Sequence, residues 1–92
     1  MICDVCGERE SVDVVCSRAG PVSFAYCREC LDSGREPYSA IVASLVGMNP
    51  MGIADWYKPT IAATIKAEGK TVEQLFEDVR EAEEEYAAVH IR

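Results

Sequence analysis

The feature that most restricts how this chain can fold is a set of four cysteines arranged as two identical hooks. Cys3 and Cys6 enclose Asp4-Val5, Cys27 and Cys30 enclose Arg28-Glu29, and twenty residues separate the pairs. The resulting C-x2-C-x20-C-x2-C pattern matches the spacing of four-thiolate zinc sites. A C-x2-C turn bends the backbone so that two sulfurs converge on one ion, and a second such turn completes a tetrahedron. Thiolate is a soft donor and favours zinc over magnesium or calcium. Gly7, directly after Cys6, can take the positive φ that a tight metal turn requires. The expected site is one structural Zn2+ held by Cys3, Cys6, Cys27 and Cys30. Four protein ligands fill the coordination sphere and leave no position for a catalytic water.

Two other chemistries compete for the same residues. A redox C-x-x-C of the thioredoxin type needs a βαβ context, which the sequence around Cys3 does not offer. An iron–sulfur cluster also accepts four cysteines, and ligand type alone does not separate it from zinc. Met1–Cys6 has neither the basic patch nor the apolar stretch of a signal peptide, and no apolar run approaches the ~18–20 residues of a membrane span. The expectation is a cytoplasmic chain, where thiols stay reduced and five cysteines need an explanation other than disulfides.

The chain has 92 residues, enough for one domain or a small module with an appendage. The segment 1–36 is too short to bury much apolar surface, so metal binding must supply a large part of its folding energy. Zinc-finger peptides gain roughly 10–16 kcal/mol from the metal, against ~5–15 kcal/mol for the stability of a whole domain. Four thiolates and a dication would change the formal charge from −7 to −9. Arg9, Arg18 and Arg28 lie near the ligands in sequence and are candidates to offset that charge locally.

Between the hooks, Ser11–Arg18 and Val22–Tyr26 read as two strands joined across Ala19-Gly20-Pro21, a turn signal. Leu31 and the residues after Cys30 would begin a helix, whose length Gly34 and Pro37 leave open. Cys16 falls in the β-branched run Val12–Ser17 and is expected to act as a buried small hydrophobe. Hook, hairpin, then hook opening a helix is the order of a treble-clef finger.

Cys3-x-x-Cys6-Gly7, Ala19-Gly20-Pro21, Tyr26 before Cys27, and Cys27-x-Glu29-Cys30 together resemble the zinc-binding domain at the front of the bacterial unfoldase ClpX. The resemblance covers residues 3–32, about a third of the chain. In that family the finger does no chemistry; it dimerises and recognises adaptors and substrates. There is no room here for an ATPase and no Walker motif, so unfoldase activity is not implied. The chain is more similar to the small four-cysteine treble-clef and zinc-ribbon proteins of bacteria and their phages.

The second half reads as helical. Tyr38, Ile41, Val42 and Leu45 follow i, i+3, i+4, i+7, and Gly47 can end that helix. Asn49-Pro50-Met51-Gly52 is a connector. Asp55 is expected to cap a helix running to Glu68, with Pro59 in its first turn and Gly69 as its stop. Thr71-Val72-Glu73-Gln74 has capping-box form and opens the longest helix. Its stripe of Val72, Leu75, Val79, Ala82, Tyr86 and Val89, widened by Phe76, is expected to pack on the neighbouring helices or to form a seam for a partner. Glu81, Glu83, Glu84 and Glu85 read as a solvated face, with phosphate mimicry as the sharper alternative. Trp56-Tyr57 is expected to pack inside, and His90 reads as a frayed surface residue.

The expected fold is a small α+β zinc-bound module: a treble-clef-like finger over 1–36, then about three α-helices over 37–92. No Ser/His/Asp set, P-loop or glycine-rich phosphate cradle is present, so no enzymatic activity is expected. The expected function is a non-enzymatic protein–protein interaction or adaptor module, binding a protein partner or a second copy as a homodimer. Nucleic-acid binding is a rival, opposed by charge: 1–36 carries four arginines against seven acidic residues, and 37–92 five basic residues against nine. The other rival is an acidic, phage-type inhibitor that occupies a basic nucleic-acid groove of an enzyme. An anionic membrane surface would be repelled by the same field.

Overall fold

The protein starts with a short hook that folds back on a hairpin, and the helices follow. The computed structural model describes residues 1–48 and 51–90, with side chains as far as Ala87. Ile2 bridges Glu10, and the N–H of Ser11 reaches the carbonyl of Met1 at 2.7 Å, so residues 1–11 close on themselves. β1 (Asp13–Cys16) then pairs antiparallel with β2 (Ser23–Tyr26), with Asp13 opposite Tyr26 and Cys16 opposite Ser23. Both strands lie inside the spans expected from the β-branched runs.

The two strands have different fates. Ala25 and Tyr26 at the end of β2 are buried, whereas every residue of β1 is exposed. Cys16 is therefore not the buried hydrophobe its neighbours predicted. A β-branched run reports strand propensity, but burial depends on a covering layer, and β1 has none. The Cys16 sulfur sits 3.4 Å from the Ser23 hydroxyl.

α1 (Arg28–Ser33) starts directly after Cys27, three residues before the expected Leu31, so Cys30 lies within the helix. It ends at Gly34. α2 (Tyr38–Met48) buries Ile41 and Leu45 and runs through Gly47 rather than stopping there. Of the expected connector, Asn49 and Pro50 lie outside the described residues. Asp55 opens a 3-10 turn over Asp55–Tyr57 and does not cap the next helix; its carboxylate pairs with Lys58 at 2.7 Å. The cap position of α3 (Lys58–Glu68) is Tyr57, with Pro59 in the first turn as expected.

Gly69 stops α3 with φ 66°, and the N–H groups of Gly69 and Lys70 return to the carbonyls of Lys66 and Ile65 at 3.2 and 2.9 Å. A side chain is disfavoured at that backbone angle, which is why glycine marks the boundary in sequence. The capping box forms in full. The Thr71 N–H reaches Gln74 Oε1 at 2.8 Å, and the Gln74 N–H reaches Thr71 Oγ1 at 3.1 Å. It opens α4 (Val72–His90).

The helices share one apolar core of Ile41, Leu45, Tyr57, Ile61, Leu75 and Val79. From the α4 stripe, Leu75 and Val79 enter this core, while Val72, Phe76 and Tyr86 remain about half exposed. The side chains of Val89 and His90 lie outside the described residues. Trp56 and Tyr57 also part company: Tyr57 is fully buried, Trp56 is exposed, and their rings meet edge-on at 5.6 Å. Among the described residues no helix is long and apolar enough to cross a membrane.

Candidate metal centre

A second, smaller cluster of buried residues lies under the hairpin, and three of its four members are cysteines. It consists of Cys3, Tyr26, Cys27 and Cys30, with Val5, Cys6, Phe24 and Leu31 packed around it. So little apolar volume cannot hold a fold by itself. The sulfurs are the centre of this half of the molecule.

Local backbone rules bring them together. In the first hook the Cys3 N–H bonds the carbonyl of Arg9 at 2.8 Å, and the Gly7 N–H bonds the carbonyl of Cys3 at 3.0 Å. Gly7 takes φ 68°, as the turn was expected to require. Asp4, between the two cysteines, then clamps the hook to β2. Its N–H reaches the carbonyl of Ala25, and its carboxylate accepts the Ala25 N–H, both at 2.8 Å. Two residues after Ala25 the chain reaches Cys27. The second hook is the start of α1, where the Leu31 N–H bonds the carbonyl of Cys27 at 3.0 Å and sets Cys30 beside it.

As a result, the sulfurs of Cys3, Cys6, Cys27 and Cys30 all lie within 4.8 Å of one another. The Cys6 and Cys27 sulfurs are 3.9 Å apart. A tetrahedral thiolate site with metal–sulfur bonds of about 2.3 Å has sulfur–sulfur edges of about 3.8 Å. The four side chains therefore fit a single thiophilic metal ion. Cys16, the fifth cysteine, is not part of the group.

The electrostatics point the same way. Burial opposes ionisation of Cys3, but the N–H groups of Cys6, Cys27 and Val5 together outweigh it and bring the thiol down to about 6. The Val5 N–H lies 3.4 Å from that sulfur. Backbone N–H groups of Glu8 and Arg9 lower Cys6. Cys30 goes the other way, pushed up to about 12 by burial and then by the neighbouring Cys27 and Cys3 sulfurs. Four sulfurs this close cannot all carry charge without a cation among them; a metal removes the conflict by displacing the protons.

Of the three arginines near the ligands, Arg9 is the one brought to the sulfurs. Its guanidinium lies 3.8 Å from Cys6 Sγ and 3.5 Å from the Glu29 carboxylate. Arg28 pairs instead with Asp32 at 3.6 Å, and Arg18 contributes its backbone N–H to Glu36. Asp4 was the positioning residue that sequence reasoning missed. Its place inside a C-x2-C hook was the available signal, because a short acceptor there can bond backbone N–H groups.

Comparison with protein-family models, with characterised proteins and with solved structures finds no match for this chain. The geometry of the four sulfurs accordingly carries the functional reading.

Proposed function

We propose that this protein is a zinc-stabilised, non-enzymatic protein–protein interaction or adaptor module, its first third a treble-clef finger. The observation that carries the reading is the convergence of four thiols within 4.8 Å. Cys3, Cys6, Cys27 and Cys30 would hold the ion, which supplies shape. With four thiolates the sphere is closed, so the metal neither activates water nor binds substrate. Such a site belongs in a reducing compartment, and the cytoplasm fits it. The order of hook, hairpin and helix-borne hook supports the treble-clef assignment and the resemblance to the ClpX finger. The helical half then offers the apolar surface on which recognition would take place.

Two measurements test the reading. Protein purified without added metal should contain one zinc per chain and be colourless. A brown solution with iron and sulfide would overturn the metal assignment. Affinity capture from the native cell should recover a partner with the intact protein and lose it with Cys30→Ala. Turnover that requires the metal, with no partner retained, would overturn the adaptor role.

A further inference from the structure

Away from the cysteines, an open groove of about 460 Å³ lies beside α4, walled by Leu45, Met48, Ile53, Phe76 and Val79 together with Gly52, Lys58 and Glu83. Its α4 side belongs to a longer stripe. Positions 72, 76, 79, 83 and 86 follow one another at steps of three and four and so share one helix face, four of them apolar and the fifth, Glu83, a carboxylate that also lines the groove. Along it Val72 and Phe76 are each 48% exposed and Tyr86 is 57% exposed. From Val72 to Tyr86 the stripe extends about 21 Å at 1.5 Å per residue, close to four helical turns. That length suits a docked helix better than a small molecule, and a trough between two helices is the usual seat for one.

Charge selects the occupant. About a quarter-turn around α4 from the stripe runs a second row, Glu73, Glu77, Arg80 and Glu84, all exposed. Arg80 is ion-paired with Glu77, and Lys58 on the groove wall is paired with Asp55 at 2.7 Å, so the basic groups here are already offset. A second copy docking through this face would set acidic row against acidic row. A basic partner would meet charges of opposite sign.

We propose that this groove receives an amphipathic helix of a partner protein, its apolar face on Phe76 and Tyr86 and its lysines or arginines toward Glu73 and Glu84. The proposal rests on the interaction reading and names the kind of partner. The probe is a synthetic leucine–lysine peptide of about 18 residues with leucines at helical spacing, titrated into the metal-loaded protein. Binding should weaken about tenfold with Phe76→Ala, a half-exposed position whose truncation spares the core. Glu73→Gln with Glu84→Gln should weaken it and flatten its salt dependence. A leucine–glutamate peptide of the same pattern should not bind.

Absence of leucine–lysine binding overturns the proposal, as does binding that Phe76→Ala leaves unchanged, which would be charge attraction alone. Equal binding of the leucine–glutamate peptide overturns the charge assignment. A dimer in sedimentation that Phe76→Ala dissolves gives the face to a second copy and overturns it too. Failure of the groove is distinguishable from failure of the interaction reading. A native partner still captured by Phe76→Ala but lost with Cys30→Ala removes the groove and keeps the module.

Discussion

Tyr57 donates its phenolic hydrogen to the carboxylate of Glu36 across 3.2 Å, joining two buried residues from the two halves of the chain. The same carboxylate accepts the Ser17 hydroxyl and the Arg18 N–H, each at 2.9 Å, from the chain just after β1. The Glu36 N–H completes the joint by reaching the Thr64 hydroxyl of α3 at 3.1 Å. Between an apolar helical core and a cysteine-centred finger, one acidic side chain ties the hairpin to the helices.

Removing that carboxylate should therefore cost far more than a typical surface change. Glu36→Gln keeps one acceptor oxygen but turns an amide donor toward groups that also donate, and should lower stability by about 1–3 kcal/mol. Glu36→Ala should cost more, because three donors lose their acceptor together. Urea unfolding followed by circular dichroism reads both variants. A change within about 0.5 kcal/mol for Glu36→Ala would mean the joint contributes nothing.

Metal removal should act on the two clusters unequally. With a chelator, or in Cys30→Ala, residues 1–36 should lose their dispersed amide signals in two-dimensional NMR, since three of the four members of their buried cluster are cysteines of the candidate site. The helical core of Ile41, Leu45, Tyr57, Ile61, Leu75 and Val79 contains no ligand and should keep much of its helical signal. An unchanged finger spectrum in Cys30→Ala would refute the metal's structural role.

Adjacent residues on α4 make a sharp comparison. Leu75 is 1% exposed and Phe76 is 48% exposed. Leu75→Ala opens a hole between α2 and α4 and should cost about 2–4 kcal/mol. Phe76→Ala removes a larger side chain, yet should cost about 1 kcal/mol or less, because much of that ring already meets water. Thermal unfolding of the two variants side by side would expose a reversed order.

Stability should also fall at high pH through Tyr57. Burial chiefly, with the Glu36 carboxylate adding and the Ser44 hydroxyl opposing, raises its phenol from the ordinary 10.0 to about 12. The folded state thus resists ionising it. The stabilisation is complete below the unfolded value near 10 and is lost as pH rises through the folded value near 12. Absorbance of tyrosinate during an alkaline titration should show a late-ionising group whose titration accompanies unfolding. Ionisation of all four tyrosines near pH 10 with the fold intact would contradict this.

Much of the local structure was legible from residue types at fixed offsets. Thr71 and Gln74 announced the reciprocal cap that opens α4, Gly69 its preceding stop, and Gly7 the bend after the first hook. Each is a rule about a few neighbouring backbone groups, so no distant contact can easily change it. The helix start at Arg28 was missed because Cys27 is not a conventional capping residue; the second cysteine pair itself sets that boundary.

Which four cysteines come together and the order of elements could be read along the chain, because cysteine spacing, turn residues and capping offsets act within a few residues. Which faces are covered was settled by packing between elements distant along the chain. It left Cys16 and β1 in water, turned Tyr57 inward and Trp56 outward, buried Leu75 and Val79 of α4 while leaving Phe76 half exposed between them, and drew Glu36 into the joint between the halves. Burial is a property of which elements meet across space, and periodicity states that a face is apolar without naming what, if anything, will lie against it.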